Sequence, residues 1–229
     1  TVTFSGGARG TVISATASQL TVGNLTGLTP GALSASVTVN SVSSGSPVQV
    51  ATVIPVVTPN TANLPANATT LTINGFGFSI AAANDIVTFS GGAAGTVISA
   101  TATQLTVGNL TGLTPGALSA SVTVNGASSG SPVQVATVIP VVTPSTANLL
   151  VTDTSITISG FGFSITPANN IVTFSGGATG TVTSATTTQL TVTGLTGLVL
   201  GPLDASVAVS GISSGTAVQV ATVISGSIP

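Results

Sequence analysis

Leu118-Ser119-Ala120-Ser121-Val122-Thr123-Val124, followed by Asn125-Gly126, alternates four apolar with three hydroxyl residues and then turns. Strict alternation is the period of a β-strand with one buried and one wet face. Asn-Gly is a hairpin turn signal. Working outward from this strand, the flanking sequence reads the same way. Ser131 to Ile139 makes a closing strand. Upstream lie Asp85-Ile86-Val87-Thr88-Phe89, Gly95 to Ala100, and Gln104-Leu105-Thr106-Val107, separated by short polar or glycine-rich stretches. Further upstream is Leu71-Thr72-Ile73-Asn74-Gly75-Phe76-Gly77-Phe78, and before it the extended segment Pro55-Val56-Val57-Thr58-Pro59. Proline disfavours helix both at its own position and at the one before. About seven short strands between turn signals predict an immunoglobulin-like β-sandwich. No stretch sustains helical periodicity, and β-branched Thr and Val dominate.

The unit recurs at a spacing of 85 residues: Phe4, Phe89 and Phe174 align, as do Gln19, Gln104 and Gln189. Residues 1–54 and 86–139 differ at only five positions. That period is too long for one turn of a solenoid and suits one small β domain. The absence of a shorter internal period counts against the rival β-helix. With boundaries at Pro55 and Pro140, residues 1–54 are an incomplete repeat lacking its first strands. Residues 55–139 and 140–224 are complete repeats, and 225–229 begin a further one. Val138-Ile139-Pro140-Val141-Val142 leaves no flexible tether, so the array is predicted to be semi-rigid. At about 3.3 Å per residue, strands of seven or eight residues plus loops make beads roughly 35–40 Å long. Thr1 reads as a processed end or a cut edge. Donor-strand exchange between identical chains comes up one short, because each holds two leading halves and three closing halves. The chain is therefore expected to be a window on a longer repeat polymer.

Composition removes most chemistry. The 229 residues hold one Arg, three Asp and no Lys, Glu, His, Cys, Met, Trp or Tyr. General acid–base catalysis, an activated Ser or Thr nucleophile, and zinc, copper or iron sites all need residue types that are missing. Nor do the charges belong to the repeat: Arg9 aligns with Ala94 and Thr179, Asp85 with Asn170, Asp153 with Ala68, and Asp204 with Ser34 and Ser119. A non-enzyme without cofactor or metal is expected. Nucleic acid is excluded as a partner for want of basic residues. The mean hydropathy of +0.73 invites a membrane reading, but the apolar runs fall far short of the roughly 20 residues a spanning helix needs. Aromatic girdles of a membrane barrel are missing too. So bare a surface favours association with copies of itself.

Pro55-Val-Val-Thr-Pro-Asn, then Leu71-Thr-Ile-Asn-Gly-Phe-Gly-Phe78, then Val87-Thr-Phe89 resembles the IPT/TIG family of immunoglobulin-like domains. The likeness recurs from Pro140 to Phe174. The resemblance implies a β-sandwich and, for strings of near-identical copies, the bacterial surface-protein branch, whose domains serve as spacers, stalks or adhesive shafts. The basic loops of its DNA-binding branch are missing here.

Several residues stand out as candidates. In Leu71–Phe78 the parity switches between Ile73 and Phe76, and a one-residue bulge at Gly75 (Gly160 in the next copy) would return both Phe to the interior. On that reading Phe4, Phe76, Phe78, Phe89, Phe161, Phe163 and Phe174 are core residues, favoured over a sugar-binding platform. Asn24, Asn67 and Asn109 match the N-glycosylation pattern, which chance alone explains in so Thr-rich a chain. Asn84-Asp85 reads as a polar loop cap in preference to a cation ligand. The expected function is a structural repeat of an extracellular or cell-surface fibre, stalk or sheath, with self as the partner. An adhesin shaft or weak carbohydrate-binding module is the alternative, with glycans as partners.

Overall fold

The structure, a computed structural model, describes residues 1–226; of the segment expected to begin a further repeat, residues 227–229 lie outside the described residues. The first repeat contains β1 (Val2–Phe4), β2 (Arg9–Ala15), β3 (Leu20–Thr26), β4 (Gly31–Val39), β5 (Val42–Ser43) and β6 (Val48–Val53). The second contains β7 (Val56–Val57), β8 (Asn63–Pro65), β9 (Leu71–Phe76), β10 (Asp85–Phe89), β11 (Ala94–Thr101), β12 (Gln104–Thr111), β13 (Gly116–Val124), β14 (Ala127–Ser128) and β15 (Val133–Ile139). In the third are β16 (Val141–Val142), β17 (Asn148–Leu150), β18 (Ser155–Phe161), β19 (Asn170–Phe174), β20 (Thr179–Ala185), β21 (Gln189–Thr196), β22 (Gly201–Val209), β23 (Ile212–Ser213) and β24 (Val218–Ile224).

The second repeat is a sandwich of two sheets, β11-β12-β9-β7 and β10-β13-β15-β8, with β14 paired to β13. This is the strand order of an immunoglobulin-like domain, in which the leading segment is split between the sheets. Short β7 pairs antiparallel with β9, and β8 crosses over to pair parallel with β15. The third repeat reproduces both sheets, β20-β21-β18-β16 and β19-β22-β24-β17. Beyond the seven predicted strands, the structure adds β8 and the two-residue β14.

Side-chain parity decides what is buried. On β13, Leu118, Ala120, Val122 and Val124 point inward. They meet Leu105 and Val107 of β12, Ile73 of β9, and Val135 and Val138 of β15. A bulge opposite Leu118–Ser119 puts two successive β15 residues, Val135 and Ala136, into the core. Two further irregularities lie between β11 and β12.

The bulge expected at Gly75 and Gly160 is absent. The pairing of β9 with β12 runs without a shift from Leu71–Val107 to Gln104–Asn74, and alternation continues unbroken, so Gly75 faces in and Phe76 faces out. Phe76 is 64% exposed, and Phe161 likewise lies on the surface. The two are not core residues. Parity changes two residues later, at Gly77, whose φ of +73° lets the chain reverse. The reversal lays the Phe78 ring over Gly75. A Cβ on Gly75 would collide with the carbonyl oxygen of Val56 and with that ring. Gly160 stands in the same relation to the Val141 carbonyl and Phe163. The glycine is needed because an aromatic ring occupies the place of its side chain. Phe78, Phe163 and Phe174 are buried, while Phe4 and Phe89 are half-buried.

Residues 1–54 form only β1-β4-β6 with β5 on β4, and the separate hairpin β2-β3. With no counterparts of β7, β8 and β9, the inner faces stay open as an apolar groove of about 290 Å³, lined by residues such as Leu20, Val22, Leu33 and Val50. The sequence nearly repeats that of residues 86–139, but the burial does not: Leu105 is fully buried, whereas Leu20 is 37% exposed.

Two predictions follow from these contacts. Gly75→Ala should destabilise the second repeat by about 3 kcal/mol through overpacking. Asn74→Ala, on the outer face, should cost under about 1 kcal/mol; chemical denaturation followed by circular dichroism measures both. Leu105→Ala should cost about 2–5 kcal/mol and Leu20→Ala less than half as much; equal losses would contradict the open groove.

Candidate functional site

No cleft gathers reactive groups, so the surfaces that recur every 85 residues are the features with functional content. The first is the junction. β15 ends at Ile139 and β16 begins at Val141, with only Pro140 between them. Pro140 and its counterpart Pro55 are buried. A buried proline holds its φ and has few ways to bend.

Across each junction a proline of one repeat meets the Gly-x-Gly-x turn of the next. A Cβ on Gly77 would stand 3.4 Å from Cγ of Pro30, and one on Gly162 would stand 3.3 Å from Cγ of Pro115. Ala66 also lies against Gly162. The second and third repeats enclose a shallow cavity of about 360 Å³ lined by Thr114, Pro115, Phe163, Ile165 and Val209 among others. In the third repeat the position of Pro30 and Pro115 is taken by Leu200, which is exposed beside Val199. The same turn therefore closes the core through Phe78 and receives the neighbour through Gly77.

The second feature is a set of outward apolar side chains repeated at the same spacing. Val56 and Phe76 are register partners and both face solvent. Ile80 and Ile165, and Ile86 and Ile171, are exposed in both complete repeats. Reading Phe76 as core concealed this face. The missed signal was Gly77, which ends the strand before Phe78.

Charge contributes little. Arg9 is exposed, and Asp153 accepts the Leu150 N–H at 2.8 Å within its own turn. Asp85 differs. It is 5% exposed, its Oδ1 accepts the Ser79 N–H at 3.0 Å, and its Oδ2 is buried with no hydrogen-bond partner. Burial pushes its carboxyl above the ordinary aspartate range, against the opposing pull of the Ser79 N–H. Among the described residues no group of three or more His, Cys, Asp or Glu side chains is placed to hold a metal, and no helix is long and apolar enough to cross a membrane.

Asn24, Asn67 and Asn109 are all exposed. Asn24 and Asn109 have φ of +52°, and Gly194 takes that place in the third repeat with φ of +67°. Asn and Gly are the residues that tolerate this conformation, so the backbone alone accounts for two of the three.

Residues 52–136 match the IPT/TIG domain family. That match lies on the second repeat and covers less than half of the chain. Among curated proteins, none matches this chain. Solved structures similar to it include domains 4–9 of the surface-layer protein SbsC, at 15% identity over 89% of this chain and 36% of that one, with a TM-score of 0.26. InvD of Yersinia pseudotuberculosis is 19% identical over 76% of this chain and 57% of its own, with a TM-score of 0.29. The Escherichia coli adhesin FdeC is 19% identical over 97% of this chain and 85% of its own, with a TM-score of 0.27. The chain thus spans a little over a third of the SbsC fragment and just over half of InvD. These likenesses identify no activity and no partner.

The junction yields a direct expectation. Inserting four Gly/Ser residues between Ile139 and Pro140 should broaden the small-angle scattering distance distribution of the chain. The unmodified chain should give a narrow, elongated profile; identical profiles would contradict a packed junction.

Proposed function

We propose that this chain is a non-catalytic structural segment of an extracellular or cell-surface assembly, in which IPT/TIG sandwiches are stacked end to end and packed side by side. The carrying observation is the junction: a buried proline between directly abutting strands, and a proline-on-glycine contact repeated 85 residues apart. An elastic tether would place glycine and serine there. A fixed junction keeps each repeat in a constant orientation to the next, so outward residues such as Phe76 and Phe161 recur in register along the array.

Such faces suit lateral packing. Four charged side chains in the whole chain oppose close approach very little, and uncharged surfaces promote association. The composition supports the non-catalytic reading, since the side chains used for acid–base and nucleophilic work are nearly all missing. The chain also offers almost nothing to trypsin-like proteases or to oxidants of Cys and Met. A second reading, weak glycan binding along a shaft, is favoured by one observation: the exposed rings of Phe76 and Phe161.

Sedimentation and electron microscopy of the intact chain over a concentration series test the first reading. Ordered side-by-side or end-to-end assemblies are expected. Phe76→Ser combined with Phe161→Ser should raise the concentration at which they form by about tenfold or more, the worth of burying such a side chain. Dispersed monomers at high concentration would overturn the assembly reading, and glycan-array binding lost in the same double variant would favour the second.

A further inference from the structure

The loop before β10 and the loop before β19 are two copies of one device that differ at one decisive atom. In the third repeat, Asn170 is buried, and its Oδ1 accepts the Ser164 N–H at 2.9 Å. Its Nδ2 donates to the carbonyl oxygens of Ser164 at 2.8 Å, Thr166 at 3.1 Å and Pro167 at 3.5 Å. The loop is shaped around an amide: one N–H points at its oxygen, and carbonyls surround its nitrogen.

In the second repeat the surrounding loop is the same. The Ser79 N–H meets Oδ1 at 3.0 Å, the Ala81 N–H meets the Ser79 hydroxyl at 3.0 Å, and Asn84 Nδ2 meets that hydroxyl at 3.3 Å. The third repeat holds the corresponding bonds from Thr166 and Asn169 to Ser164. At the centre, however, Asn170 is replaced by Asp85. Asp85 Oδ2 takes the place of the amide nitrogen, is buried, and has no partner. An ionised carboxylate there sets an acceptor where the loop offers acceptors. A neutral carboxylic acid restores a donor.

We propose that Asp85 is a proton-binding site, whose Oδ2–H takes over the role of the Asn170 amide toward the Ser79 carbonyl and makes the second repeat sensitive to pH. The proton lies between two oxygens of one loop. A metal ion is disfavoured because the side-chain atom itself fills the amide's place.

Among the described residues, nothing titratable faces Asp85 from the elements around it. Val124 is its register partner on β13, Ala82–Asn84 form the turn before it, and Gly95, Thr96 and Val97 of β11 line the adjoining cleft. Arg9, Asp153, Asp204 and the Thr1 amine belong to the other repeats. The direction of coupling follows by linkage. Below the ordinary aspartate range both folded and unfolded chains hold the proton, and pH has no effect. Between that range and the higher folded value only the folded repeat holds it, so stability falls as pH rises. Above the folded value the loss is complete and level.

The test uses the intact chain, with the third repeat as internal control. The carboxyl carbons of its three aspartates are followed by NMR titration, and hydrogen exchange is measured separately in residues 71–107 and 156–192. Asp85 should titrate above the ordinary aspartate range. Exchange in 71–107, corrected for intrinsic rate, should speed up as pH rises from the ordinary aspartate range to that value, by about tenfold for each pH unit between the two, and then level off. Asp85→Asn should abolish this dependence and protect the repeat at neutral pH. Asn170→Asp should transfer it to 156–192. An ordinary or lowered Asp85 titration would overturn the proposal. So would an Asp85→Asn variant no better protected than the parent at neutral pH. Calcium that protects the parent but not Asp85→Asn would also overturn it, by showing a cation site instead.

Discussion

Everything in the array depends on the turn Gly75-Phe76-Gly77-Phe78 and its copy at 160–163. Gly75 has no side chain because the Phe78 ring lies there, and Gly77 reverses the chain so that the ring can reach it. That single reversal closes the core under β9. It turns Phe76 outward, and it presents a bare glycine to the proline of the preceding repeat. Core, outer face and junction are thus settled within four residues. A side chain at Gly75 would disturb the sandwich, and one at Gly77 would strain the turn that meets the neighbouring proline.

The rest of the stability comes from burial. With so few charges, ion pairs cannot hold these sandwiches, and no Cys is present to cross-link them. The two sheets are held by Leu, Ile and Val side chains from alternating positions, removed from water between the layers. Serine and threonine hydroxyls tie the turns by short bonds, such as Ser90 to the Ser119 N–H and Ser129 to the Val122 N–H. Asp85 stands out against this background as a buried ionisable group in a fold otherwise built without them.

Much of this was legible in the sequence. The alternation of Leu118–Val124, the 85-residue period and the missing linker at Ile139-Pro140 lead to tandem immunoglobulin-like sandwiches without any coordinates. Periodicity reports burial reliably where both neighbours of a strand are present. It failed where the strand ended. Ile73 and Phe78 are both inside, but placing the change of parity at Gly75, when it comes at Gly77, puts Phe76 on the wrong face. Short β8 escaped because its parallel pairing with β15 is a long-range contact with only three residues of local pattern. Asp85 read as a polar loop cap, and it does accept the Ser79 N–H, but its burial was not legible. Its burial depends on the fold of residues 79–85 around it, which local pattern does not express.

The central claim is that the junctions hold the repeats in fixed relative orientation. Residual dipolar couplings of backbone amides in 55–139 and 140–224, measured on the intact chain in one alignment medium, test it most directly. A packed proline junction requires both repeats to fit a single alignment tensor of one magnitude. Two tensors of unequal magnitude would show repeats tumbling independently and would contradict the rigid array.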